Sequence, residues 1–328
     1  MPEPSIVIPG GSGFLGRTLT SWFAHQGARV IILSRHPQDI PGATVVPWDA
    51  QSLGPWANEL EGVLAVINLA GRSVNCRYTT SNRQLMMDSR TKSTAILGEA
   101  ISACQDPPQV WLNSSTATIY RHREDAPNTE AAGLYGPVAE AKDKYSVEVA
   151  HAWEEAFEEA FATRPLPQTR GILLRTAIVL GAEPGGAYHT LRRLSLIGLG
   201  GTMGHGRQYV SWMHALDFCR AISWLIETDS AEGIYNLAAP HPVPNREMMK
   251  QLRHSLHVSA GLPAPRWMLE VGAFALRTET ELIVKSRRVI PERLQQEGFT
   301  FTFPSLDHAF SDLAGQKESP SERPKPNN

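Results

Sequence analysis

The stretch Gly10-Gly11-Ser12-Gly13-Phe14-Leu15-Gly16 decides the fold. A short β-branched run, Ile6 to Ile8, stands in front of it, and behind it Leu15, Leu19, Trp22 and Phe23 recur at helical spacing until Gly27 stops them. The reading is strand, turn, helix. The next run, Arg29-Val30-Ile31-Ile32-Leu33, is apolar without alternation, as a parallel strand covered on both faces requires. A βαβ unit is complete by Leu33. Glycines at 10, 13 and 16 permit a tight turn and let backbone N–H groups at the helix start approach a pyrophosphate.

Outward from that unit the pattern repeats. A third strand ends at Trp48-Asp49, further strands are expected over 62–69, 109–114 and 170–180, and helices over about 83–104 and 145–162. Alternating strands and helices predict an α/β fold with a doubly wound parallel sheet. Past Leu180 the texture changes, with eight glycines between Gly181 and Gly206 and a basic pair at Arg192-Arg193. A helical stretch, 215–227, then leads back to the sheet through a strand at 234–238, and Pro240, Pro242 and Pro244 mark an exit. Residues 245–312 read as mainly helical. The end, 315–328, has three prolines and no aliphatic side chain, so a disordered tail is expected there.

Composition narrows the function. The 328 residues are 42% hydrophobic and 20% charged, the balance of a globular protein, and a net charge of −2 offers no general field for nucleic acid or an acidic membrane. Neither is expected as a partner. No basic start with a long apolar core follows Met1, and Cys76, Cys104 and Cys219 are widely spaced, so a reducing, cytoplasmic setting is expected. The 11 histidines show no ligand spacing, so no metal site is expected either.

The residues after the second strand select the cofactor. An NAD site places a carboxylate there to accept from the ribose hydroxyls, whereas this chain has Ser34-Arg35, whose guanidinium suits a 2′-phosphate. NADP(H) is the expected cofactor.

The glycine spacing, Asp49 after the third strand, Asn68-Leu69-Ala70-Gly71 after the fourth and Asn113-Ser114-Ser115-Thr116 after the fifth resemble the extended short-chain dehydrogenase/reductase family. The resemblance narrows to its atypical "epimerase family" branch with a C-terminal domain of unknown function. It is carried by Asp88-Ser89-Arg90, Val149 to Glu154, Gly206-Arg207-Gln208, Ser211-Trp212, His214, Asn236 to Asn245 and Gly298-Phe299-Thr300-Phe301, and it spans residues 5–313. It implies a Rossmann-type domain over 1–181, rejoined near 234–239, and a smaller helical substrate-side region over 182–314. It also implies that Gly10 to Gly16, Ser34, Arg35, Asp49, Leu69, Ala70, Gly71 and Arg90 line the cofactor, and it makes a homodimer an expectation.

Catalytic members of that family carry a tyrosine and, four residues on, a lysine that lowers the phenol's pKa. No tyrosine of this chain has that lysine; Tyr145 opens the matching helix, and the lysine position is Val149. Ser115 is placed either to bond a substrate carbonyl or to satisfy strand-end backbone, and Tyr120 on the following loop either faces the nicotinamide or the surface. Arg207, Trp212 and His214 are candidates for the substrate side. Two functions follow: an NADP(H)-dependent oxidoreductase or epimerase-like enzyme acting on a small molecule, or a dinucleotide-binding regulator or scaffold without turnover.

Overall fold

The computed structural model describes residues 3–141, 143–164, 166, 168–275 and 284–315. The tail expected over 315–328 lies outside the described residues except for Gly315, which ends the last helix, Leu306–Gly315.

Strand β1 (Ser5–Pro9) runs through the glycine loop into helix α1 (Phe14–His25), and β2 (Arg29–Ser34) returns beside β1 in parallel register. Gly27 ends α1 with a φ of +79°, which is why a glycine stands there. Then follow β3 (Ala43–Pro47), β4 (Ala65–Asn68), α2 (Thr80–Ala103), β5 (Val110–Thr116), α3 (Lys144–Thr163) and β6 (Arg170–Thr176). The strand expected over 170–180 is in fact two. At Ala177, whose N–H bonds the Leu237 carbonyl, the chain leaves the sheet. Strand β7 (Ile178–Leu180) forms a separate pair with β9 (Trp212–His214), while β8 (Tyr209–Val210) lies between them in sequence. Helix α4 (Ala187–Leu196) occupies part of the glycine-rich stretch. Helix α5 (Ala215–Glu227) then leads to β10 (Gly233–Leu237), which closes the sheet.

The main sheet has seven parallel strands in the order β10-β6-β5-β4-β1-β2-β3, so the order reverses between β1 and β4. Ligands of such sheets bind outside the carboxyl ends of the strands at that reversal. One face buries Leu19 and Phe23 of α1 with Phe218, Ile222 and Leu225 of α5, joined by the Trp22 indole, which donates to Ser223 at 2.8 Å. The other face packs Ile96, Leu97 and Ile101 of α2 and Phe157 of α3 against Val66 and Trp111. A third core joins α4, helix α6 (Asn245–Ser255) and the last helix through Tyr188, Met249 and Phe310. Among the described residues no helix is long and apolar enough to cross a membrane, and no group of three or more His, Cys, Asp or Glu could hold a metal ion.

Candidate functional site

A cavity of about 820 Å³ opens across the carboxyl ends of β1 to β6 at the reversal point. Its floor is the glycine loop, and each glycine is there for a different reason. Gly10 has a φ of +76°, and a Cβ would lie 2.7 Å from the Ala70 Cα. At Gly16 a Cβ would meet the Gly11 backbone at 2.3 Å, so the helix can start against the loop only without a side chain. Gly13 is the opposite case: a Cβ would meet no protein atom within 4 Å. What Gly13 leaves open is the cavity itself. As the first residue before α1 it also offers no side-chain cap, and no acidic residue stands in the first turn, so the helix N-terminus faces the cavity with its N–H groups and positive dipole end unneutralised. That arrangement fits a phosphate.

Thirteen of the fourteen residues expected at the cofactor line this cavity: Gly10, Ser12, Gly13, Phe14, Leu15, Gly16, Ser34, Arg35, Asp49, Leu69, Ala70, Gly71 and Arg90. The fourteenth, Gly11, packs behind the loop, where a Cβ would press on Ile32 at 2.9 Å. At the β2–β3 end Arg35 is exposed and pairs with no carboxylate among the described residues. The carboxyl of Asp49 accepts from the Ser52 hydroxyl at 2.5 Å and from the Ser52 and Gln51 N–H groups, which hold its pKa at about 2.

In the middle, Asn68 and Asn113 stand opposite each other on β4 and β5. The Asn68 amide donates to Asn113 at 2.6 Å, and its oxygen accepts the Ala70 N–H at 3.0 Å, which shapes the Ala70-Gly71 turn. Over that turn lies Arg90 of α2, 9% exposed. Its guanidinium donates to the Met86 and Arg72 carbonyls and sits 5.0 Å from the Trp153 ring. Burial lowers its pKa, opposed by the phenols of Tyr145 and Tyr78, and no carboxylate among the described residues pairs with it. Gly71 admits it closely: a Cβ there would lie 3.2 Å from the guanidinium carbon.

At the β5–β6 end the cavity wall is Ser114, Ser115, Trp153 and Thr176. The Ser115 hydroxyl donates to Glu154 at 2.5 Å, and Arg175 grips the same carboxylate through Nε at 2.8 Å and a terminal nitrogen at 2.7 Å. Arg175 also donates to the Tyr120 and Tyr135 hydroxyls at 3.0 and 2.8 Å. Burial opposes the charge of Arg175, but the bonds to Glu154 outweigh it and hold the pKa above the ordinary guanidinium value. Tyr120 is fully buried behind this pair and donates to Asn236 at 2.9 Å; burial pushes its phenol up to about 12.

The remaining candidates are not brought to the cavity wall. Tyr145, half-buried near the start of α3, donates to the Arg83 carbonyl at 2.5 Å and packs edge-on to Tyr78. Arg207 is exposed beside Glu124 at 3.8 Å. Trp212 is buried, its indole donating to the His241 carbonyl. His214, 3% exposed, caps α5 by accepting the Leu216 N–H and stacks on Phe303, with Asp312 3.3 Å away. The residues that sequence reasoning left without a role are Glu154 and Arg175. The available signal was Arg175 itself, a charge inside the apolar strand Ile172-Leu173-Leu174, since a charge that a sheet buries needs a partner.

The family model described as NAD dependent epimerase/dehydratase family matches residues 6–238, and a domain of unknown function, DUF1731, matches residues 264–313. The chain is 30% identical over 317 residues to epimerase family protein YfhF of Bacillus subtilis (strain 168), covering 96% of this chain and 99% of that protein. It is 27% identical to the human epimerase family protein SDR39U1, over 94% of this chain and 99% of that one. A crystal structure of human SDR39U1 (isoform 2) with NADPH is similar, with a TM-score of 0.80 at 26% identity over 94% of this chain and 99% of that chain. UDP-N-acetylglucosamine 4-epimerase from Bacillus cereus shares the fold, with a TM-score of 0.73 at 17% identity over 95% and 98% of the two chains.

Proposed function

The chain belongs to the NAD dependent epimerase/dehydratase family, and from that premise we propose that it binds NADP(H) in this cavity and acts as an oxidoreductase or epimerase-like enzyme on a small molecule. The observation that carries the reading is the open N-terminus of α1 at Gly13, with an unpaired arginine, Arg35, at the cavity's β2–β3 end. The N–H groups of the glycine loop would hold the diphosphate, and Arg35 the 2′-phosphate. Arg90, Ser115, Trp153 and Thr176, which line the other end of the cavity, would then hold the nicotinamide end of the cofactor. When bound, the cofactor supplies hydride exchange at nicotinamide C4. The protein's part is to orient it and to seat the substrate beside Ser115. Human SDR39U1, crystallised with NADPH, supports the choice of cofactor.

Calorimetric titration with NADPH and NADH tests the binding, and incubation of the NADPH complex with panels of carbonyl compounds tests turnover. Tighter binding of NADPH and its consumption with a carbonyl are expected. Binding without consumption across broad panels would leave a dinucleotide-binding regulator instead.

A further inference from the structure

The hydroxyls at the β5–β6 end of the cavity have a polarity fixed by the protein. Ser115, 5% exposed, has one proton, and it spends that proton on Glu154. Glu154, 6% exposed, cannot return one, because a carboxylate in a bidentate ion pair with a guanidinium is an acceptor only. Turning the Ser115 hydroxyl toward the cavity would strip a buried carboxylate of a donor. Thr176, on the same wall, likewise gives its proton to the Leu174 carbonyl at 3.2 Å. Ser114, also on this wall, has no side-chain hydrogen bond among the described residues. Two of the three hydroxyls therefore present only lone pairs to a ligand. A group that docks beside them must bring its own N–H or O–H.

We infer that Ser115 accepts the carboxamide N–H of the bound nicotinamide, and that Glu154, gripped by Arg175, is the positioning residue that sets this polarity. The inference rests on the dinucleotide reading above. Its consequence is that ring orientation is governed by a charge pair that touches neither cofactor nor substrate. Arg90, a cavity-lining cation whose guanidinium sits 5.0 Å from the Trp153 ring, is a donor and complements the carboxamide's oxygen side, whereas the amide's N–H side has Ser115 and Thr176 as side-chain acceptors.

The test compares NADP⁺ with its 3-acetylpyridine analogue, in which a methyl group of similar size replaces the amide NH₂. The wild-type protein is expected to bind NADP⁺ about tenfold tighter than the analogue, the worth of one hydrogen bond to a buried acceptor. Ser115→Ala should bring the two within about twofold, and Ser115→Thr should restore the preference. In Glu154→Gln, Arg175 holds the amide oxygen, the new N–H₂ faces Ser115, and the freed serine proton points at the cavity, so the ratio should fall below that of Ser115→Ala. If circular dichroism shows Glu154→Gln unfolded, the Ser115 pair decides alone. A merely structural role for Ser115 would change both affinities equally. A ratio unchanged in Ser115→Ala, or equal binding of both ligands by the wild type, overturns the inference while leaving the dinucleotide site standing. Failure of the wild type to bind either ligand overturns both.

Discussion

Ser115 and Glu154 meet at 2.5 Å across the gap between β5 and α3, and the carboxylate that receives the serine proton is the one Arg175 neutralises. With Glu154 and Arg175 only 6% and 3% exposed, neither charge has water to fall back on. Glu154→Leu removes one partner and leaves a buried guanidinium, which should lower the free energy of unfolding by about 3–5 kcal/mol. Ser115→Ala takes away one donor of several and should cost about 1–2 kcal/mol. Chemical denaturation of the three proteins compares them. Equal stability of Glu154→Leu and wild type would mean that the pair is not buried as described.

Two glycines of one loop should respond oppositely to the same methyl group. Gly16→Ala drives a Cβ onto the Gly11 backbone at 2.3 Å and should destabilise the fold by about 2–3 kcal/mol. Gly13→Ala has a φ of −79°, which alanine adopts freely, and no protein atom in its way. Its stability should stay within about 0.5 kcal/mol of wild type, while its affinity for NADPH drops about tenfold or more. Thermal unfolding and cofactor titration, run side by side on both variants, separate the two effects. A destabilised Gly13→Ala with unchanged NADPH affinity would reverse the roles assigned to them.

In the proposed function Arg35 is the residue that would distinguish the two nicotinamide cofactors, through the 2′-phosphate. Arg35→Asp replaces a donor fork with a like charge opposite the 2′-phosphate and should weaken NADPH by about 10–100-fold, with little change for NADH. Equal losses for both would show that Arg35 does not face that phosphate.

The βαβ unit and its ligand loop were legible in the sequence because they depend on local rules. Glycine spacing, helical periodicity and an unbroken apolar strand each act over a few residues and pointed to the glycine loop and Ser34-Arg35, whereas Asp49, Leu69 to Gly71 and Arg90 were reached only through the family resemblance. The polar network behind Ser115 depends on residues brought together from β5, α3 and β6, and no local pattern joins Glu154 to Arg175 across 21 positions. The same holds for His214. Its segment invited a substrate-side role, but the side chain turns inward because the first N–H groups of α5 need a cap. The break at Ala177 leaves no local signal for a related reason. Ile178-Val179-Leu180 is as apolar as the strand before it, and only the pairing with Trp212-Met213-His214 takes it out of the main sheet.

His214 makes stability depend on pH in a definite direction. Burial lowers its pKa, against the pull of Asp312 and Asp217, and protonation of the nitrogen that accepts the Leu216 N–H would abolish the cap. The unfolded chain therefore binds a proton that the folded one resists. Stability is fully present above the unfolded histidine value of about 6.5 and declines as pH falls below it. His214→Asn keeps a capping oxygen without the titration, so its unfolding free energy should fall less steeply between pH 7 and pH 5. Burial lowers the pKa of His122 as well, and its share of the slope should persist in the variant. Identical slopes for the two proteins would remove His214 from the account.

The proposed function requires the open N-terminus of α1 and the glycine loop to hold a phosphorylated nicotinamide dinucleotide. Calorimetric titration of the full chain with NADPH meets it head on. Saturable heat with one molecule bound per chain is expected, much reduced in Gly13→Ala at unchanged thermal stability. A well-folded wild-type protein that releases no heat with NADPH would contradict it.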